Sequence, residues 1–191
     1  CVIGLGYVGL PLARLFSTKY PTIGFDMNQR RVGELMAGHD VTLEVSDELL
    51  QDAIGNHGFL CTSNVDEIRE CNFYIIAVPT PVDVNNRPDL YPLYGASETV
   101  GRVISKGDIV VYESTVYPGV TEDECIPVVE RISGLKFNTD FFAGYSPERI
   151  NPGDKLHTVE KIKKVTSGST LEIGKKVNEV YASVISAGTH L

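Results

Sequence analysis

The sequence predicts one α/β domain built on a doubly wound, mostly parallel sheet, and three observations support this fold class. Six short runs are almost continuously apolar, as in strands covered on both faces. Segments with the apolar spacing of helices alternate with these runs, which is typical of βαβ units. A length of 191 residues suits one well-buried core and is too short for two full catalytic domains.

The expected elements alternate along the chain. Stripes of apolar residues with helical spacing begin at Val8, Leu90 and Val177, and each predicts a helix. No repeat or linker-like stretch divides the chain, so residues 1–191 are expected to form a single domain. The expected strands are Val2 to Gly4, Thr22 to Phe25, Phe59 to Thr62, Phe73 to Val78, Ile109 to Tyr112 and Phe141 to Gly144.

Two further segments carry helix start signals. Thr121 is followed three residues later by Glu124, which is the spacing of a capping box, and Asn64 and Glu67 have the same spacing. Pro127 would fall inside the helix that begins at Thr121, so we expect it to kink or shorten that helix.

The charge balance argues against polyanionic partners. Lys and Arg total 17 against 25 Asp and Glu, for a net charge of -8. The electrostatic footprint of a protein that binds nucleic acid or an anionic membrane is therefore missing, and any phosphate must be held locally. No apolar run approaches the roughly 18 residues of a membrane helix, and no basic segment precedes an apolar stretch as in a signal peptide.

Cysteine and histidine spacing predicts neither a metal site nor a disulfide framework, since there is no C-x-x-C pair and no paired His. We expect a reducing, cytoplasmic environment and cysteines with core roles. The chain begins inside an apolar run without an initiating Met, so residues are expected to precede it. The cysteines are Cys1, Cys61, Cys71 and Cys125.

The chemistry-bearing motif with the clearest context is a G-x-G-x-x-G run that follows the first strand and opens a helix. Gly4 permits the tight turn, Gly6 lets the backbone approach a pyrophosphate, and Gly9 allows close helix–strand packing. The intervening Tyr7 and Val8 belong to the same loop, and the helix N-terminus supplies N–H groups for an anion. By itself this pattern is also compatible with a plain turn before a helix.

An acidic residue at the end of the second strand completes the pattern of a Rossmann-like dinucleotide site. Asp26 lies 22 residues after Gly4, close to the roughly 20-residue offset of the acid that binds ribose hydroxyls. Its charge would repel a 2′-phosphate and so favours NAD, although Arg30 and Arg31 nearby leave NADP open. A helix-capping Asp is the alternative interpretation.

Three clusters of residues follow later strands, where ligands bind in open α/β sheets. They are Val78, Pro79, Thr80 and Pro81 at the start of the longest candidate loop, Glu113, Ser114 and Thr115, and Ser146, Pro147, Glu148 and Arg149. Any one of them could simply end a strand, but together they could line one crevice.

Glu148 is the best candidate general acid or base, because a carboxylate in a partly desolvated crevice can hold a raised pKa. Arg149 offers a fork for phosphate or carboxylate, or an ion pair.

These segments together resemble the NAD-binding domain of the UDP-glucose/GDP-mannose dehydrogenase family, over nearly the whole chain. The sequence Pro-Glu-Arg-Ile-Asn-Pro-Gly at 147–153 is similar to the branch that acts on UDP-N-acetylhexosamines, whereas UDP-glucose and GDP-mannose enzymes typically have Pro-Glu-Phe-Leu. The resemblance is carried by residues 2–13, 78–81, 113–116 and 145–153.

The resemblance implies a four-electron oxidation of a sugar nucleotide's C6 alcohol to the uronate with two NAD, for surface or capsular polysaccharide synthesis. In the family a cysteine forms a thiohemiacetal and then a thioester, which water hydrolyses. A UDP-sugar partner and a homodimer of the full-length protein are implied. The implied site residues are Glu148 for proton transfer, Thr115 near the nicotinamide, Asp26 and Arg31 at the adenosine end, Val78 to Pro81 and Ser114 beside the cofactor, and Glu148, Arg149, Ile150 and Asn151 toward the substrate.

The family's nucleophilic Cys, and the Lys and Asn of its long central helix, lie downstream of Leu191 in the family pattern. We therefore expect this chain to bind NAD without turning over. The alternatives are a UDP-glucose or other nucleotide-sugar 6-dehydrogenase, a 3-hydroxyacid dehydrogenase that uses a lysine base, and a non-catalytic NAD-binding module.

Overall fold

Six parallel strands form the centre of the sheet, and each of the six predicted strands is confirmed to within two residues at either end. The computed structural model describes residues 1–82, 84–148 and 159–191. The strands are β1 (Val2–Ile3), β2 (Ile23–Phe25), β3 (Leu60–Thr62), β4 (Phe73–Ile76), β5 (Ile109–Tyr112) and β6 (Phe142–Tyr145).

The strand order is β3-β2-β1-β4-β5-β6, which confirms the doubly wound sheet. Val2 of β1 is in register with Gly24 of β2 on one side and with Ile75 of β4 on the other. The chain winds outward from β1 through β2 to β3 and then returns to β4, so the order reverses between β1 and β4. Ligands of open α/β sheets bind at such a reversal, beyond the carboxyl ends of the strands.

Three short strands near the end of the chain extend this framework. Strand β8 (Ser167–Gly168) pairs antiparallel with β6 at the sheet edge. Strand β7 (Lys164–Val165) instead pairs in parallel with β9 (Thr189–His190), outside the main sheet. These strands were not predicted, because two residues are too few for a recognisable apolar pattern.

In the ranges that the structure describes, six α-helices connect the strands, and the stripes at Val8, Leu90 and Val177 correspond to α1, α4 and α6. Helices α2 and α3 were not predicted. They are started by local caps: the side chain of Asn28 accepts from Arg30 N, and that of Ser46 accepts from Leu49 N. The helices are α1 (Gly9–Ser17), α2 (Gln29–Met36), α3 (Asp47–His57), α4 (Tyr91–Gly101), α5 (Ile126–Ser133) and α6 (Leu171–Ala182).

The capping box expected at Thr121 is wrong. A π-helical segment (Val120–Cys125) begins after Gly119, whose φ of +95° suits glycine, and no side chain caps it. Glu124 instead accepts a hydrogen bond from Tyr94 on α4 at 2.7 Å. Pro127 lies in the first turn of α5, where a proline costs no hydrogen bond, so it marks the change from π to α geometry. The start signal at Asn64 is confirmed, since its side chain accepts from Asp66 N in a 3₁₀-helix (Val65–Ile68).

Apolar cores cover both faces of the sheet. One includes Leu12 and Val177 from α1 and α6, and the other includes Leu93 and Val129 from α4 and α5. Alternate residues of the strands face opposite cores, which explains the nearly continuous apolar runs. Within the described residues, no helix combines the length and hydropathy needed to cross a membrane.

The cysteines lie in or against these cores. Cys61 and Cys125 are buried, while Cys1 and Cys71 are partly buried and pack against the second core. Burial raises the pKa of the Cys61 thiol to about 12 and that of Cys125 to about 11. In the described part of the chain, no group of three or more His, Cys, Asp or Glu side chains is placed to hold a metal ion.

Candidate functional site

A cleft of about 990 Å³ opens at the carboxyl ends of the strands, at the reversal between β1 and β4. The glycine loop, the residues after β2, β4, β5 and β6, and one side of α4 form its walls. The structure brings together most of the predicted site residues here. Those that line the cleft are Gly4, Gly6, Tyr7, Val8, Asp26, Val78, Pro79, Thr80, Ser114, Thr115 and Glu148.

The three glycines of the loop meet different steric demands. Gly4 has a φ of +91°, which L-residues with side chains rarely adopt. A Cβ on Gly9 would lie 1.7 Å from the carbonyl oxygen of Gly4, so only glycine allows α1 to start this close to β1. A Cβ on Gly6 would meet nothing within 4 Å, because this residue faces the open cleft. The loop can therefore present bare backbone to a phosphate beside the N-terminus of α1.

Asp26 joins the glycine loop to the start of α2. Its Oδ2 accepts from Leu5 N and its Oδ1 accepts from Asn28 N, both at 2.9 Å. Each carboxylate oxygen has a second lone pair, so the side chain can still accept from ribose hydroxyls. The cap of α2 is Asn28 rather than Asp26, so the helix-capping alternative for Asp26 does not describe this structure.

Arg31 lies beneath the glycine loop rather than in the wall of the cleft. Its Nε donates to the carbonyl oxygen of Leu5 at 3.0 Å, and its Nη2 forms an ion pair at 2.7 Å with the fully buried Asp40. Burial opposes ionisation of Asp40, but hydrogen bonds from Val45, Thr42 and Arg31 outweigh it and lower the pKa of this carboxyl. The Nη1 of Arg31 is buried without a hydrogen-bond partner among the described residues.

The loops after β4 and β5 are tied to each other. Ser114 Oγ donates to the carbonyl oxygen of Val78 at 2.6 Å, and Thr80 Oγ1 donates to that of Thr115 at 2.8 Å. Pro79 lines the cleft between these contacts, whereas Pro81 is exposed outside it and accepts from Asp89 N at 2.8 Å. The cluster after β5 also contacts the cluster after β6, since Glu148 N donates to the carbonyl oxygen of Glu113.

Glu148 is held by the main chain as well as through its side chain. Its N–H donates to the carbonyl oxygen of Glu113 at 3.1 Å, and its own carbonyl oxygen accepts from Thr115 Oγ1 at 3.4 Å. Its carboxylate accepts from Lys164 Nζ at 3.1 Å. The predicted substrate-side residues Arg149, Ile150 and Asn151 lie outside the described residues.

A buried polar cluster behind Glu148 was missed by the sequence reasoning. Lys164 on β7 bonds both Glu113 and Glu148, and Tyr181 on α6 donates to Glu113. Burial raises the pKa of Glu113, and the Lys164 ammonium partly opposes this shift. Glu113 and Glu148 belong to the strand-end clusters, but no local pattern marks Lys164, which is 51 residues from Glu113 in sequence and belongs to a lysine-rich segment that suggests surface.

The far end of the cleft contains residues that no motif indicated. Met27 follows Asp26, Ser63 and Val65 follow β3, and Thr99 and Arg102 come from the end of α4. They line the same cleft as Asp26, the acid that follows β2. Only the winding of the sheet brings them together.

These features fit a dinucleotide. The loop has a glycine where a side chain cannot be accommodated, a second glycine open to the cleft, and an acid within reach of the same loop. The cleft continues from this acid to the Ser114, Thr115 and Glu148 end, so it has room for a second nucleoside beyond the loop.

Comparison with known proteins gives consistent matches. Residues 1–185 match the UDP-glucose/GDP-mannose dehydrogenase family, NAD binding domain. This chain is 58% identical to a UDP-N-acetyl-D-glucosamine 6-dehydrogenase from Pseudomonas aeruginosa and 57% identical to one from Salmonella typhi. Both alignments span 189 residues, which cover 99% of this chain and 44% of each relative. The structure of a UDP-D-ManNAc dehydrogenase from Pyrococcus horikoshii matches with a TM-score of 0.90 at 29% identity, over 100% of this chain and 46% of that one.

The chain thus spans less than half the length of the relatives it matches. The family and the cofactor inferred from the motifs are both confirmed, and the cofactor is NAD. The chain belongs to the UDP-glucose/GDP-mannose dehydrogenase family, with residues 1–185 as its NAD-binding domain.

Proposed function

We propose that the full-length protein is an NAD-dependent 6-dehydrogenase of a UDP-N-acetylhexosamine. The observation that carries this proposal is the 57–58% identity, over 99% of this chain, to two UDP-N-acetyl-D-glucosamine 6-dehydrogenases. Conversion of the C6 alcohol to the uronate removes four electrons, so two NAD are reduced per product. Such a uronate would serve the synthesis of surface polysaccharide in the cytoplasm.

Residues at one end of the cleft bind the cofactor, and residues at the other end act on the substrate. The glycine loop and the α1 N-terminus bind the pyrophosphate, and Asp26 accepts from the adenosine ribose. Bound NAD supplies the hydride acceptor. Thr115 lies at the opposite end, beside Glu148, and we assign Glu148 to proton transfer at the substrate. Its side chain is only 9% exposed and lies at the cleft wall, and its carboxylate is 3.1 Å from a lysine ammonium, which supports that role.

We further propose that this chain by itself binds NAD but does not turn over. The nucleophile of covalent oxidation must be a thiolate at the reaction centre. None of Cys1, Cys61, Cys71 and Cys125 lines the cleft, and the raised pKa values of Cys61 and Cys125 keep both as thiols at neutral pH. The nucleophile and most of the sugar-binding site therefore belong to other parts of the full-length protein, which we propose is a homodimer.

The test measures NADH absorbance with the full-length protein and UDP-N-acetylglucosamine, UDP-N-acetylgalactosamine or UDP-glucose. We expect turnover with an N-acetylhexosamine, two NADH per uronate, and a far lower kcat/KM with UDP-glucose. Preference for UDP-glucose would overturn the substrate assignment, and no turnover with any nucleotide sugar would favour a non-catalytic module. The 191-residue chain should bind NAD by calorimetry without forming NADH, and sedimentation of the full-length protein tests the dimer.

A further inference from the structure

A cluster of charged side chains is buried directly behind the reactive end of the cleft. Glu113 is 0% exposed and Lys164 is 1% exposed. The Lys164 ammonium bonds the carboxylates of both Glu113 and Glu148. Glu113 and Glu148 line the cleft, whereas Lys164 is placed behind them. One buried cation therefore joins the carboxylates of two residues that line the cleft.

The far side of Lys164 is fixed by neighbours at two other places, on α6 and beside β9. Tyr181 of α6 is fully buried and donates its hydroxyl to the second carboxylate oxygen of Glu113. The Lys164 ammonium lies 5.9 Å from the centre of the Tyr181 ring. The main-chain N–H of Lys164 donates to the carbonyl oxygen of Gly188 at 3.2 Å, next to β9. The lysine thus has little freedom to move away from its two carboxylates.

Stability alone does not account for charges at this position. A buried ion pair is often no more stabilising than apolar side chains of the same volume, because both ions lose hydration. The surrounding layers of this fold are apolar, and Tyr181 packs edge-on against Phe16 at a ring distance of 5.5 Å. A lysine here instead has a directional effect, since its N–H groups determine where a carboxylate oxygen lies.

We propose that Lys164 is a positioning residue that orients the Glu148 carboxylate at the cleft, with Glu113 and Tyr181 holding Lys164 in place. The inference rests on the proposed function, in which Glu148 transfers protons at the substrate. The main chain of Glu148 is already fixed by Glu113 and Thr115, so the remaining freedom is rotation of its side chain. The 3.1 Å bond from Lys164 restricts that rotation.

The decisive measurement is a double-mutant cycle on kcat in the full-length protein with saturating NAD and UDP-sugar. Lys164→Met should lower kcat at least about tenfold, because misplacing a reacting group by about 1 Å can cost as much as about 100-fold. In a Glu148→Gln background the same change should cost less than about twofold, because the carboxylate that it orients is gone. The KM for NAD should change less than about twofold in the single variant.

A matched control separates this role from general loss of a lysine. Lys176→Met removes a lysine that pairs with Glu172 at 2.9 Å on the exposed side of α6, so kcat should stay within about twofold of wild type. Equal losses from Lys164→Met with and without Glu148 would overturn the proposal. So would a Lys164→Met kcat within about twofold of wild type.

A second variant covers the case in which Lys164→Met leaves a buried, unpaired Glu113 and does not fold. The Glu113→Gln/Lys164→Met double variant removes both charges, and the amide oxygen keeps an acceptor for Tyr181. It should fold and still show the tenfold loss of kcat. Recovery of wild-type kcat in this double variant would show that the lysine only neutralises Glu113 and would overturn the proposal.

A readout without turnover separates this inference from the proposed function. The ¹³C-carboxyl NMR resonance of Glu148 in the 191-residue chain is identified by its loss in Glu148→Gln. It should shift in Lys164→Met and stay in place in Lys176→Met. Should the full-length wild type oxidise no nucleotide sugar, the proposed function fails, while this shift still reports on the contact. An unmoved resonance would overturn the positioning role in either case.

Discussion

Replacement of Asp26 by Asn tests how the cleft recognises NAD. Both carboxylate oxygens already accept main-chain N–H groups at 2.9 Å, from Leu5 and Asn28, and Asp26 lines the cleft with one further lone pair on each oxygen. The amide keeps one acceptor oxygen and places a donor where the other was. Hydrogen bonds to a charged group contribute about 1.5–3 kcal/mol. We therefore expect NAD binding to weaken about 10- to 150-fold.

Calorimetric titration of the 191-residue chain with NAD and, separately, NADP checks this expectation. Asp26→Asn removes the charge that repels a 2′-phosphate, so NADP should lose much less affinity than NAD, and the preference for NAD should shrink. Asp52→Asn on α3 is the matched control, because its half-exposed side chain is remote from the cleft and should change affinity by less than about 0.5 kcal/mol.

Urea unfolding separates ribose recognition from loop support. Loss of one main-chain hydrogen bond should lower the free energy of unfolding by about 1–3 kcal/mol in Asp26→Asn. If NAD and NADP weakened by the same factor, Asp26 would act only by holding Leu5 and Asn28. Unchanged affinity for NAD would refute the assignment of the ribose to this residue.

Three further predictions concern the glycine loop, its support and the thiols. Gly9→Ala should abolish measurable NAD binding and lower stability, because its Cβ would lie 1.7 Å from a carbonyl oxygen. Gly6→Ala should weaken NAD binding but leave the free energy of unfolding in urea within about 0.5 kcal/mol of wild type. Equal stability losses in the two variants would contradict this. Asp40→Asn leaves a buried guanidinium unpaired and should cost about 3–5 kcal/mol of unfolding free energy at neutral pH. The pKa of Asp40 is lowered in the folded state, so its contribution to stability is complete above the ordinary value of 3.8 and is lost as the pH falls through the folded value. Plots of unfolding free energy against pH for wild type and variant should therefore converge in acid. Parallel plots down to pH 2 would argue against this. Cys61 and Cys125 should resist a thiol reagent in the native chain at pH 7 and react in urea, as mass spectrometry after labelling would show, and fast native labelling of either would contradict their burial.

Sequence reasoning predicted the centre of the sheet and the dinucleotide motif because both depend on local patterns. An apolar run such as Ile109–Tyr112 identifies a strand whatever packs against it. Sequence reasoning failed where two helix start signals lie close together. Thr121 and Glu124 have the spacing of a capping box, but the helical segment begins earlier, directly after Gly119. It also missed α2, whose eight residues include too few apolar positions to show a periodic stripe.

Arg31 illustrates a role that sequence position suggested only in part. The family resemblance associates it with the adenosine end of the cofactor, whereas the structure places it beneath the glycine loop and outside the wall of the cleft. The tertiary structure turns its guanidinium under the loop, toward Leu5 and the buried Asp40, which is contributed by the segment after α2. The direction of a long side chain depends on such partners, which no spacing rule contains.

The amino-acid sequence by itself determined which chemical feature follows each strand. A glycine loop follows the first strand, an acid follows the second, and polar clusters follow the later ones. These features depend on neighbours within a few residues, so they can be read without a fold. The tertiary structure alone decided that Lys164 is buried between Glu113 and Glu148, over 51 and 16 residues of sequence. A lysine is ordinarily solvated, and its burial is tolerated only when distant carboxylates converge on it.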